Sequence, residues 1–257
     1  MPEQDTLARL RRSLARIDAR EWAGTGPSER FELGVWAVDE ALDGGLPRKA
    51  MHEVFAASMG DSGAACGFGL GLALRMAAEG RRIIVWVQQA MGVREHGGVH
   101  PYGLTEFGAE PSIILVQVRD GLQALRAAHE AVRCPALGAV VLELWGPSGA
   151  PSLTVSRKLS RAAATAGVGL VVLRLDAEPQ PSAAFSRWSV AAAPSATLEA
   201  GAPGHPRFDL TLLRHRGGIA SGRWRVEWNR DELVFREAAL SGAVVSLPAH
   251  RPAQTTA

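Results

Sequence analysis

Lysine is nearly missing from this chain of 257 residues: of 28 basic residues only Lys49 and Lys158 are lysines, and the rest are arginines. Lysine-dependent chemistry is therefore confined to two places. Cysteine is limited to Cys66 and Cys134, far apart and flanked by small or apolar residues. That excludes a disulfide framework and suits packed, reduced thiols. The net charge of +2 is too small to argue by itself for nucleic-acid binding. No apolar run reaches the ~18 residues of a membrane span, and the N-terminus, opening with Glu3 and Asp5, lacks the apolar core of a signal peptide. These absences predict a cytoplasmic protein. What is present, 47% hydrophobic and 21% charged residues, is ordinary globular composition, and the length suits one α/β domain with short extensions.

Leu7, Leu10, Leu14 and Ile17 recur at spacings of three, four and three, which lines them on one helical face among arginines. Residues 1–25 are thus expected to form an amphipathic helix and linker, ended by Gly24, Gly26 and Pro27. The helix either docks on its own domain or is offered to a neighbouring protein. From about Phe31, short apolar runs alternate with helical patterns. Strands are predicted at His52–Ala56, Ile83–Val87, Ile113–Val118, Ala139–Leu144 and Val168–Leu173, with helices at Ala64–Glu79, Gly121–Arg133 and Ser152–Ala166. Nearly all-apolar strands separated by helices argue for a mainly parallel, twisted sheet covered on both faces. After Pro179 the strands Ser189–Ala193, Phe208–Arg214, Gly222–Trp228 and Glu232–Phe235 follow one another directly, which predicts an antiparallel extension. The core is expected to span residues 30–240. Residues 241–257, Pro-, Ala- and Thr-rich from Pro248, read as a disordered tail.

A nucleotide-binding βαβ unit has a strand, a glycine-rich turn and a helix whose first amides face phosphate. Here Glu53-Val54-Phe55 is followed by Gly60-Asp61-Ser62-Gly63-Ala64-Ala65 and an apolar helix. A working phosphate loop needs Gly-Lys-[Ser/Thr], lysine for the phosphates and hydroxyl for magnesium. Ala64 and Ala65 supply neither, and Asp61 adds negative charge where polyphosphate would lie.

The run from Gly34 to Pro47, Gly-Val-Trp-Ala-Val-Asp-Glu-Ala-Leu-Asp-Gly-Gly-Leu-Pro, resembles the entrance to the ATPase core of the RecA family, and the likeness extends over roughly residues 31–237. The resemblance implies a RecA-like fold of the phosphate-loop NTPase type. It places Glu143 at the Walker B aspartate and Gln88 or Gln89 at the glutamate that polarises water. Glutamine is a far poorer base than a carboxylate. With lysine, magnesium ligand and base all missing, hydrolysis is not expected, and no catalytic residue or cofactor is assigned. The family's two DNA-contacting loops would fall in Trp145–Thr154 and around Ala177–Phe185, both short and poor in basic or aromatic residues.

Within the RecA relatives, Arg133–Trp145 and Arg187–Ser195 are similar to segments of the ImuA proteins, also called SulA-like translesion-synthesis accessory proteins. That resemblance implies a non-enzymatic role in SOS mutagenesis, in complex with the polymerase-like protein ImuB. An error-prone replicative-type DNA polymerase would be an indirect partner, and RecA a further one. Alternatives are a nucleotide binder using the amides of Gly60–Gly63, a DNA-binding accessory using Arg214 and Arg216, and a division inhibitor of the SulA type. The first needs only backbone amides; the second predicts steep salt dependence.

Three sharper readings meet plainer ones. His96 and His100 are four apart, but Gly97 and Gly98 argue against a helix, so a solvated loop accounts for them better than a metal. Ser62 lacks the Gly-x-Ser-x-Gly elbow of a hydrolase. Trp224 and Trp228 share one strand face, and core packing is the ordinary use of such residues. Exposed, they would be the first candidates for partner contact.

Overall fold

The structure is a computed structural model that describes residues 29–77, 81–109, 113–146, 151–196, 202 and 204–238. Leu7, Leu10, Leu14, Ile17 and the tail 241–257 lie outside the described residues. The chain opens with β1 (Arg30–Phe31), α1 (Trp36–Ala41) and β2 (Leu46–Pro47), β1 and β2 pairing antiparallel. Then come β3 (Met51–Ala56), α2 (Ser62–Met76), β4 (Ile83–Gln89), α3 (Ala90–His96), α4 (Pro101–Glu106), β5 (Ile113–Val118) and α5 (Gly121–Val132). The chain continues through β6 (Leu137–Trp145), α6 (Leu153–Ala166), β7 (Gly169–Leu175), β8 (Ser186–Ala193), β9 (Arg207–His215), β10 (Arg223–Asn229) and β11 (Val234–Glu237).

Among the described residues, nine strands form one sheet in the order β11-β10-β9-β8-β3-β7-β6-β4-β5. From β8 to β5 every pairing is parallel, and β8, β9, β10 and β11 pair antiparallel in succession. This mixed α/β architecture, with its antiparallel C-terminal end, is consistent with a RecA-like core. The all-apolar strands behave as their composition requires: β6 and β7 are buried almost throughout because helices cover both faces. One core lies between the sheet and α2, around Val54, Phe68, Val141 and Leu173. The other lies under α5 and α6, around Val87, Ala128, Leu142 and Leu159.

The Gly34–Pro47 motif has a mechanical role. Gly34 turns the chain at φ +103, a value L side chains rarely adopt. The buried Asp39 carboxylate then accepts hydrogen bonds from Leu33 N (2.7 Å) and Gly34 N (2.9 Å). Burial raises the Asp39 pKa, and these two backbone bonds oppose the rise. Leu33 O in turn accepts from Phe235 N, which ties the entrance segment to the last strand.

In β10 the predicted alternation is realised. Val226 and Trp228 are fully buried, while Arg223 and Arg225 are exposed, Arg225 holding Asp209 through two nitrogens at 2.7 and 2.8 Å. Trp228 donates to Phe107 O (2.9 Å) and packs on Phe107 and Phe235, so its place is the core and not a partner surface. Trp224, half-buried, leans on Trp188 at 6.1 Å.

Candidate functional site

The parallel strands point their C-terminal ends at the turn between β3 and α2, where an open α/β sheet ordinarily binds its ligand. Counting back from Gly63, the eight-residue phosphate-loop pattern falls on Ser58–Ala65, with Ser58 in place of the first glycine. The turn is closed. Met59–Asp61 form a 3-10 turn that runs straight into α2, and the amides of Asp61 and Ser62 are used on Ser58 O and Met59 O. Two of the four amides of a Gly60–Gly63 anion cradle are therefore already bonded. Neither Gly60 nor Gly63 lies in the left-handed region. Ala65 is fully buried in the core beside Phe68, and Ala64 is half-buried.

Asp61 closes the turn further. One carboxylate oxygen accepts from Ser58 Oγ (2.6 Å) and the other from Ala192 N (2.8 Å), at the end of β8. Ala57 N also donates to Val190 O. The negative charge read from sequence as merely hostile to phosphate is thus a staple, binding the turn to a strand 131 residues away.

Beneath the turn, between sheet and α2, lies Glu143 on β6, 1% exposed. Its Oε2 accepts from Trp86 Nε1 and Gln88 Nε2, both at 2.9 Å. Its Oε1 stands 3.1 Å from His96 Nε2, close enough to pair but without hydrogen-bond alignment. Gln89 turns to Trp145 N instead (2.6 Å). Cys66 on α2 is pushed well up in pKa, chiefly by burial and then by the Glu143 charge. The Glu143 carboxylate, which the resemblance sets at the Walker B aspartate, is therefore sealed behind indole, amide and imidazole. Among the described residues no group of His, Cys, Asp and Glu is arranged to hold a metal.

His96 is the site residue that sequence reasoning misplaced. It ends α3 and does not sit in a solvated loop: its ring stacks on Trp145 at 5.2 Å, with the side chain 11% exposed. Gly97, at φ +89, does not prevent the helix but terminates it. Reading that glycine as a stop signal after Ala90–His96 would have found α3. His100 has another task, accepting from Tyr102 N at the start of α4. Of the DNA-binding candidates, Arg214 is exposed and Arg216 half-buried. The second expected DNA loop is packed down over Ser182–Phe185, where Ser156 Oγ accepts from Ala183 N.

Fold and site together define a class: an α/β protein with a large, mostly parallel sheet, consistent with a RecA-like core, whose β3–α2 turn is stapled shut and carries neither lysine nor a hydroxyl at Ala64 and Ala65. No protein-family model matches the chain. Among curated proteins it is 30% identical over 221 residues, 78% of this chain and 84% of the relative, to Protein ImuA of Caulobacter vibrioides, with the same figures in each of two strains. The chain belongs to the ImuA family.

Proposed function

We propose that this chain is a non-catalytic accessory protein of SOS-induced translesion DNA synthesis, acting by protein binding, with ImuB as its main partner and RecA as a second. Family membership supports the pathway. The observation that carries the non-catalytic reading is the stapled turn: Asp61 holds Ala192 N, methyl groups replace lysine and hydroxyl, and Glu143 is enclosed by three side chains. Phosphoryl transfer works by positioned charge on an accessible phosphate, and this arrangement offers no such place. Recognition is the use of the fold that remains.

Two measurements test it. Phosphate release by pure protein with ATP and magnesium should stay at background and be unaffected by Glu143→Gln. Pull-downs should capture ImuB or RecA with the full chain, compared with versions lacking residues 1–25 or ending at Ser246. Glu143-dependent phosphate release, or failure of every version to capture either protein, would sink the proposal.

A further inference from the structure

Helix α6 packs on the face of the sheet opposite α2, burying Ser156, Leu159, Ser160 and Ala163. Its outer side carries Leu153, Thr154, Arg157, Lys158 and Arg161, all exposed, and the helix has no acidic residue. Among the described residues, no ion pair or hydrogen bond engages the side chains of Arg157, Lys158 or Arg161. Asp176 and Glu178, exposed on the connection from β7 to β8, make no ion pair with them either. Like charges three and four residues apart work against the helix that carries them. Nothing within the described chain offsets that cost.

The stripe is also concave. Thr154, Arg157, Lys158 and Arg161 line a cavity of about 320 Å³ that Ala183 and Arg216 complete. Arg216 is itself partnered and shapes the wall without adding free charge. The buried layer on this side of the sheet does not cancel the three surface cations. Arg174 and Arg187 lie there with Glu53 as the carboxylate between them. Leu153, 40% exposed, precedes Thr154 and stands one helical turn before Arg157. Free cations, a hollow and an exposed apolar side chain thus share one helix face.

We infer that this face of α6 docks an acidic peptide segment of a partner protein. Its carboxylates would sit on Arg157, Lys158 and Arg161, with an apolar side chain against Leu153. Charge complementarity selects the occupant, and the guanidinium fork takes a carboxylate through two hydrogen bonds. Spacing fits as well. Arg157 and Arg161 stand about 6 Å apart along the helix axis. An extended peptide sets alternate side chains about 6.7 Å apart on one side, so acids at every second position reach both. The lining holds no aromatic residue on which bases could stack, the usual grip on a single strand, and Leu153 adds apolar contact that a peptide can use. The inference rests on the reading of this chain as a protein-binding module, and it adds a surface and the chemistry of what that surface takes.

The experiment is fluorescence anisotropy with the full chain at low salt and two short fluorescein-labelled peptides. One has Asp and Glu at alternate positions around a central Leu; the other has Asn and Gln in their place. Wild-type protein should bind the acidic peptide at least about tenfold more tightly than the neutral one. Joint substitution of Arg157→Ala, Lys158→Ala and Arg161→Ala should remove that preference. Leu153→Ser should weaken the acidic peptide about threefold. Arg223→Ala, an exposed arginine on β10, should change nothing. The side chains removed from α6 are exposed and mutually repelling, so the triple variant should keep its thermal midpoint. Equal binding of the two peptides, a preference that survives the triple variant, or an equal loss in Arg223→Ala would overturn the inference. Displacement of the peptide by an equal concentration of a mixed-sequence oligonucleotide of the same net charge would overturn it too, making this a nucleic-acid surface. Capture of ImuB or RecA alongside failed peptide titrations would sink this inference alone; the reverse result would sink the accessory reading alone.

Discussion

Glu53 and Glu143 are both 1% exposed on strands of one parallel sheet, yet they are held in opposite ways. Glu53, on the α6 side, accepts from Arg187 Nε (2.9 Å) and Ser182 Oγ (2.6 Å). Arg174 adds its field, and the Phe55 ring sits under both guanidiniums at 5.8 and 5.3 Å. Glu143, on the α2 side, is met by an indole N–H, a glutamine amide and an imidazole. One carboxylate lies among arginines; the other is held by an indole and an amide with an imidazole beside it. The lesson lies in which carboxylate the buried cations serve. Arg174 and Arg187 stand beside Glu53 on the α6 side, and no arginine hydrogen-bonds Glu143 on the α2 side.

The largest expected effect follows from removing a fixed cation. Arg187→Met should destabilise the fold by about 3–5 kcal/mol in urea unfolding, because it leaves a buried carboxylate short of its closest counter-charge. If Arg187→Met costs less than about 1 kcal/mol, the ion cluster around Glu53 is better solvated than its burial indicates.

Acid should weaken a third region of the molecule. His52 and His215 lie against Phe185, and burial lowers both pKa values to about 4 from 6.5. Below pH 6.5 the unfolded chain takes up protons that the folded chain refuses, so stability is complete above 6.5 and falls as pH drops toward 4. Each group contributes up to about 3 kcal/mol of that loss. His52→Gln should flatten the stability-versus-pH curve in this window; an unchanged slope would assign the acid sensitivity elsewhere.

Glu143→Gln should cost only about 1 kcal/mol. The new carbonyl still accepts from Trp86 and Gln88, and the new amide faces the His96 ring. A loss as large as that of Arg187→Met would erase the contrast between the two carboxylates.

How far the sequence foretells these features depends on contact distance along the chain. Strands β3 to β7 were legible to within about two residues at their ends, and for β3, β4, β6 and β7 the reason is that double-sided burial demands continuous apolar runs. The alternation in β10 was legible for the converse reason. The short helices α1, α3 and α4 were not, since six or seven residues give too little periodicity, and Gly97 was taken as a break. The missing lysine and hydroxyl at Ala64 and Ala65 could be read directly. The staple could not: Asp61 meets β8 only through the fold, as Gln88 meets Glu143 from 55 residues away. Arg157, Lys158 and Arg161 could be placed on one helix, but their cavity needs Arg216 from beyond three further strands.

The smallest expected effect is a null one, and it separates chemistry from geometry at the turn. Ala64→Lys restores the phosphate-binding cation at a half-buried position beside the α2 core, at a stability cost of about 1 kcal/mol. If the absent charge alone disables the loop, this variant should gain ATP affinity. The closed 3-10 turn predicts otherwise, because the amides of Asp61 and Ser62 remain on Ser58 and Met59, and the Asp61 carboxylate remains on Ala192 N. Titration with labelled ATP and magnesium should therefore show a Kd no tighter than about 1 mM for Ala64→Lys. Adding Asp61→Ala frees the turn from β8 and should tighten binding relative to Ala64→Lys alone. Micromolar affinity in the single variant would mean that the staple yields to phosphate, and that the two faces of the sheet differ in charge alone.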